Sequence, residues 1–139
     1  DDTIFTAFDR RQLLGAAREI EDRAWRVGSG TLRVGFQRLS AMRSQLPVYE
    51  RLGAETALSI YVYGRGDWDP PSVPNVTVHA ESAPEIGAFW FLAFDGGAEP
   101  ENVCALLAEE RRPGQFYGFW TYDGETVAAV LEHLTSTYG

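Results

Sequence analysis

Residues 9–37 read DRRQLLGAAREIEDRAWRVGSGTLRVGFQ, and the hydrophobic period changes part-way along. Asp9 followed three residues later by Gln12 has the form of a capping box. Leu13, Ala17, Ile20, Ala24 and Val27 then recur at helical spacing on one face. A second stripe through Leu14, Glu21 and Trp25 widens the side to be buried, and Glu19 and Arg23 sit four apart as an exposed pair. Gly28 and Gly30 stop the helix. From Leu32 the period is two, with Leu32, Val34 and Phe36 on one face and Arg33, Gly35 and Gln37 on the other. A capped helix handing over to a strand through a glycine turn points to a domain that mixes helices and sheet, and Gln37 is expected to end that strand at the start of a loop.

Outward from this stretch, Ile4 to Phe8 is short and rich in β-formers and reads as an edge or entry strand. Leu39, Met42, Leu46 and Tyr49 return to helical spacing, but Pro47 cannot donate within a helix and splits the segment into two short pieces. Ala57 to Tyr63 is a β-branched and aromatic run, followed by a Gly- and Pro-rich loop from Gly64 to Pro74. Val76 to Ala80, Phe89 to Asp95, Val103 to Glu109 and Phe116 to Tyr122 then read as a meander of four strands. Phe89-Trp90-Phe91-Leu92 and Phe116-Tyr117-Gly118-Phe119-Trp120 place bulky apolar groups on both faces of the sheet, so both faces need cover. Asp123 caps a last helix with a stripe of Val127, Val130, Leu131 and Leu134. The expected fold class is α+β (mixed α/β), a single mixed sheet of about six or seven strands flanked by helices on both faces. The early strands, separated by helices, are expected as parallel neighbours and the later ones as antiparallel.

The chain has 139 residues, 45% of them apolar, with four Trp, six Tyr and eight Phe, enough for one well-filled core. One domain over residues 1–139 is expected, excised from a longer protein with partner domains elsewhere. All 12 basic residues are Arg, and 20 carboxylates give a net charge of -8 and a pI near 4.7. Such a surface repels phosphate backbones and anionic lipid, which disfavours nucleic acid and membrane as partners and fits a salt-adapted source. The lone Cys104 excludes an intrachain disulfide and fits a reducing, cytoplasmic setting. The longest apolar run, Ile86 to Phe94, is too short to span a bilayer.

Catalytic and metal signatures are sparse. His79 and His133 lie on different elements with no ligand partner at close spacing, so neither a metal nor another cofactor is indicated. Cys104 and His79 both fall on expected strands and form a nucleophile pair on paper, yet Val103-Cys104-Ala105-Leu106-Leu107 reads as packed core. Glu109 and Glu110 are adjacent on a strand and point to opposite faces, which disfavours a carboxylate dyad. The aromatic excess either fills a two-faced sheet or lines an apolar pocket. Gln37 either faces a ligand cleft at the carboxyl edge of the sheet or caps the broken helix. The candidate ligand-binding set is therefore Gln37, Trp90, Phe116, Phe119, Trp120 and Tyr122.

Several of these segments together resemble the DICT domain, a family of sensory modules found in diguanylate cyclases and two-component systems. The features that carry the resemblance are the first strand and capped helix with Ile20-Glu21-Asp22, the strand ending Gly35-Phe36-Gln37, and Tyr49 with Leu52. Trp90, the Ala105 to Arg111 strand, Phe116 to Phe119 and Thr121-Tyr122-Asp123 complete it. The Lys-free composition, Glu21-Asp22-Arg23-Ala24-Trp25 and Phe119-Trp120-Thr121-Tyr122-Asp123 are similar to a haloarchaeal branch, in which the domain ends a longer, transducer-like signalling protein. The resemblance implies a non-catalytic sensory or regulatory domain that binds a small molecule or a signalling protein and couples it to output domains in the same chain. A scaffold that dimerises or docks a partner, and a small hydrolase using Cys104 or a carboxylate, are the alternatives.

Overall fold

Asp9 Oδ1 accepts from the Gln12 amide at 2.8 Å and Gln12 Oε1 accepts from the Asp9 amide at 2.9 Å, closing the capping box that starts α1, Arg10–Val27. Gly28 ends α1 in the left-handed region, where a residue without Cβ carries no steric penalty. The computed structural model describes residues 3–139, so the opening Asp1-Asp2 lies outside it. Before α1 comes β1, Thr3–Phe8, and after it β2, Ser29–Arg38. A 3-10 helix over Leu39–Gln45 runs into α2, Leu46–Glu55, with Pro47 in its first turn, so the proline divides the segment as its missing N–H requires. There follow β3 (Ala57–Arg65), β4 (Val76–Ala80), α3 (Pro84–Ala88), β5 (Phe89–Phe94), β6 (Cys104–Arg112), β7 (Gln115–Thr121) and α4 (Gly124–Tyr138).

The strands form one open mixed sheet in the order β1-β7-β6-β5-β2-β3-β4. β2 is parallel to β3 and antiparallel to β5, and β5, β6 and β7 form an antiparallel meander. Two sequence expectations change here. β1 is not beside β2 but pairs antiparallel with β7 at the far edge. The 18-residue α1 is about 27 Å long and so can carry the chain past the intervening strands. β4 is not part of the meander but pairs parallel with β3 at the opposite edge. The short helix α3 then leads the chain back over β3 and β2 to β5.

Alternation sorts the side chains onto two faces. Leu32, Val34 and Phe36 of β2, Leu58, Ile60 and Val62 of β3, and Trp90, Leu92 and Phe94 of β5 face α1, the 3-10 helix and α2 in the larger core. Phe91 and Tyr63, with Ala93 and Ala105 beside them, face α3 and α4. Each such Leu, Ile or Phe contributes about 1.5–3 kcal/mol by leaving water. Helices thus cover both faces.

One buried charge knits the larger layer. Glu21, 5% exposed, accepts from the Tyr49 hydroxyl of α2 at 2.5 Å and from Arg18 at 2.7 Å, and Arg18 also donates to Gln45 at 3.1 Å. Burial pushes the Glu21 carboxyl above its ordinary value, against the pull of Tyr49 and Arg18. The exposed Glu19–Arg23 pair does not form, since Arg23 instead reaches Asn102 and lies over the Tyr122 ring.

Two substitutions separate packing from propensity. A Cβ on Gly35 would stand 2.0 Å from the buried Phe91 ring, so Gly35→Ala is expected to lower stability by about 1–3 kcal/mol in urea titrations. Gly15 is an exposed helical position with nothing within 4 Å of an added Cβ, so Gly15→Ala should raise stability by about 0.8–1 kcal/mol in the same measurement. Tyr49→Phe strands a Glu21 oxygen in the core, and the expected loss is about 1–3 kcal/mol.

Candidate functional site

At its carboxyl end β2 departs from regular geometry. Gln37 has φ 69°, and the β2–β3 register shifts between Gly35 and Arg38. A non-glycine residue held there costs about 1–3 kcal/mol and persists only when its surroundings fix it. Gln37 Nε2 donates to Glu110 Oε1 at 3.0 Å and to the Gly87 carbonyl at 3.4 Å, tying β2 to β6 and α3. The strand runs on through Arg38, and no side chain caps the 3-10 helix that follows. Of the two readings of Gln37, capping is therefore excluded. Its amide group faces Glu110 and Gly87.

Trp90 and Phe116 lie near this end. Trp90 is 1% exposed and packs on Phe36 at 5.9 Å and Phe116 at 6.3 Å between ring centres. Arg10 lies over its indole at 4.8 Å, and the indole Nε1 is buried without an acceptor among the described residues. The other predicted aromatics do not join them. Trp120 shares the Phe116 face but sits about 13 Å farther along β7, against Phe8. Phe119 points to the opposite face, and the half-exposed Tyr122 follows the strand with Arg23 stacked on it. The six residues therefore do not line one pocket.

Cys104 and His79 do not meet either. β6 and β4 are four strand spacings apart, about 19 Å. Cys104 is 1% exposed, and burial pushes its thiol up to about 11, away from the thiolate a nucleophile needs. Among the described residues no three His, Cys, Asp or Glu side chains gather as a metal site would need, and no helix is long and apolar enough to cross a membrane.

An apolar hollow lies on the other face. Between α3 and α4 a groove of about 310 Å³ is walled by Ile86, Phe89, Phe91, Leu107, Val130 and Leu134. Its rim is polar. Glu85 on α3 pairs with His133 Nε2 on α4 at 2.9 Å and accepts from the Tyr138 hydroxyl. The Tyr138 bond, reinforced by His133, holds the Glu85 carboxyl below its ordinary value, against a smaller opposing effect of burial. An apolar cavity with a few fixed polar groups is the usual form of a small-molecule site. It is not legible in the sequence, because α3 has five residues, too few to show a helical period, and Ile86 heads an apolar run that continues into β5. Pro84 at the first helical turn was the available signal.

A family model described as "Sensory domain in DIguanylate Cyclases and Two-component system" matches residues 4–111, most of the chain. The chain belongs to the DICT family. A search of curated proteins and a search of solved structures each found no match. In this DICT domain the matched stretch runs from β1 into β6 and includes Gln37, Trp90 and the α3 wall of the groove. Phe116, Phe119, Trp120, Tyr122 and the α4 wall lie beyond it.

The Glu85 clasp gives the DICT domain a pH signature. Because the folded carboxyl holds its proton less tightly than an unfolded one, its contribution to stability is present above the ordinary value of 4.5 and is lost as pH falls through the lower folded value. Glu85→Gln is expected to lower the melting temperature at pH 7 and to have a diminishing effect below pH of about 4. A wild-type-to-variant difference that stays constant from pH 7 to 3 would count against the clasp.

Proposed function

We propose that this DICT domain is a non-catalytic signal-input module that binds a small, largely apolar molecule in the groove between α3 and α4 and couples occupancy to output domains in the same chain. The observation that carries this reading is the groove itself, apolar within and edged by the Glu85, His133 and Tyr138 cluster. A molecule with an apolar body and one hydrogen-bonding group would fill it, leaving the polar end at the rim.

Coupling requires that the ligand favour one arrangement of the domain over another. A differential affinity of roughly 1–3 kcal/mol is the usual scale. The wall formed by α4 is the element able to move, because α4 packs against β5 and β6 through a modest face and its contact with α3 includes an exposed polar clasp. Family membership supports the sensory reading. The position of Cys104, buried and four strands from the His79 segment, supports a role without catalysis.

Ala129 lines the groove from an exposed position on α4, so Ala129→Trp is expected to obstruct it with a stability change within about 0.5 kcal/mol. Native mass spectrometry of protein prepared gently from its own host should show a retained small molecule that is released on denaturation and is missing from Ala129→Trp. If both proteins are empty and the wild type is dimeric or carries another protein, the domain is an interaction scaffold instead.

A further inference from the structure

The chain carries eight more negative than positive charges, yet three arginines converge on an open cleft of about 510 Å³ at the carboxyl end of β2. Arg10 comes from the first turn of α1, Arg38 from the bulged end of β2 and Arg43 from the 3-10 helix, with Ser40, Ala41 and Ser44 between them. Several arginines elsewhere have partners: Arg18 has Glu21, Arg51 has Glu55, Arg111 has Glu109, and Arg33 donates to the Tyr63 hydroxyl. Arg10, Arg38 and Arg43 make no side-chain hydrogen bond or ion pair to another described residue. Arg10 and Arg43 instead place their guanidinium carbons 4.8 Å and 4.9 Å from the centres of the Trp90 and Trp68 rings.

The carboxylates nearby make their hydrogen bonds to other groups, while Glu110 attracts Arg10 and Asp67 attracts Arg38 through space. Glu110 accepts from Gln37 through Oε1 and from the Gly114 amide through Oε2. Asp67 accepts from the Ser40 amide through Oδ1 at 2.9 Å and from the Ser40 hydroxyl through Oδ2 at 2.5 Å. These bonds hold the Asp67 carboxyl below its ordinary value. Arg10 and Arg38 are close enough that their repulsion, after burial, lowers the Arg10 pKa. A dianion placed among them would relieve that repulsion. Guanidinium groups bind phosphate oxygens through paired N–H donors, and the carboxyl edge of a parallel strand pair is where open sheets of this kind hold ligands.

We infer that this cleft is an anion site for a small molecule bearing a phosphate or diphosphate group, with Arg10, Arg38 and Arg43 as its ligands. The strained Gln37 has a role in it: by turning the chain at the bulge and anchoring to Glu110, it sets the direction in which Arg38 leaves the sheet and occupies a carboxylate oxygen near Arg10. This site lies on the opposite layer from the α3–α4 groove and stands whether or not that groove binds anything.

The test is calorimetric titration with sodium pyrophosphate at constant ionic strength, with amide chemical-shift mapping on the same samples. Saturable one-to-one binding is expected, with shifts centred on residues 38–45, weaker binding of inorganic phosphate, and none of acetate. The double variant Arg38→Ala/Arg43→Ala touches no buried packing and should keep the wild-type melting temperature while losing at least tenfold in pyrophosphate affinity. Ala129→Trp should bind pyrophosphate as the wild type does. Absence of saturable binding, equal response to acetate, or undiminished affinity in the double variant would each overturn the assignment.

Discussion

β2 is hydrogen-bonded along both edges, parallel to β3 on one side and antiparallel to β5 on the other, and both of its faces are covered. That arrangement joins a parallel part of the sheet to an antiparallel part, and the rest of the domain is arranged about it. On one face Leu32, Val34 and Phe36 anchor the layer of α1, the 3-10 helix and α2. On the other, Arg33 is buried, and an arginine there is tolerated because Tyr63 accepts its hydrogen bond and the Tyr61 ring lies 4.2 Å beneath it. The fixed register with both neighbours leaves the strand's carboxyl end as the place where irregularity can be accommodated, and the bulge at Gln37 sits there.

Two different chemistries follow on two sides of one sheet. The groove between α3 and α4 is apolar because it faces the thinner layer, where Phe91, Leu107 and Val130 meet across a gap that five residues of α3 do not fill. The cleft at the end of β2 is basic because the strand, α1 and the 3-10 helix all present arginine at that corner. Gln37 touches both layers, since its amide reaches Glu110 on β6 and the backbone of Gly87 in α3.

Much of this architecture is legible in the chain. The capping box of Asp9 and Gln12, the switch of period after Gly30, the break at Pro47 and the cap at Asp123 all rest on local chemistry and appear in the structure. The sheet is mixed and lies between helices, as the two-sided apolar runs require. The strand order is not local information. Nothing in Ile4 to Phe8 distinguishes β2 from β7 as a neighbour, and Val76 to Ala80 has no feature that bars it from a meander, because pairing is settled by connections that cross the sheet. The candidate residues divide for the same reason. Gln37, Trp90 and Phe116 come to one end of the sheet, whereas adjacent Phe119 and Trp120 are separated by the alternation of a single strand. The groove depends on α4 meeting α3, and His133 meeting Glu85, across 48 residues of chain.

The pairing of β1 with β7 bears on how the chain is made as well as on its final form. Thr3 is aligned with Trp120 and Ile4 with Phe119, so β1 has its partner more than a hundred residues later in the chain. β2, α2 and β3 can assemble as soon as they emerge, because their contacts are close in sequence. β1 must wait as an unpaired edge while more than a hundred residues are added. Closing so long a loop is an intrinsically slow step, during which an exposed strand is open to wrong partners. The order of synthesis and the order of the sheet thus run against each other, and β1 gains its neighbour only when β7 has joined the sheet.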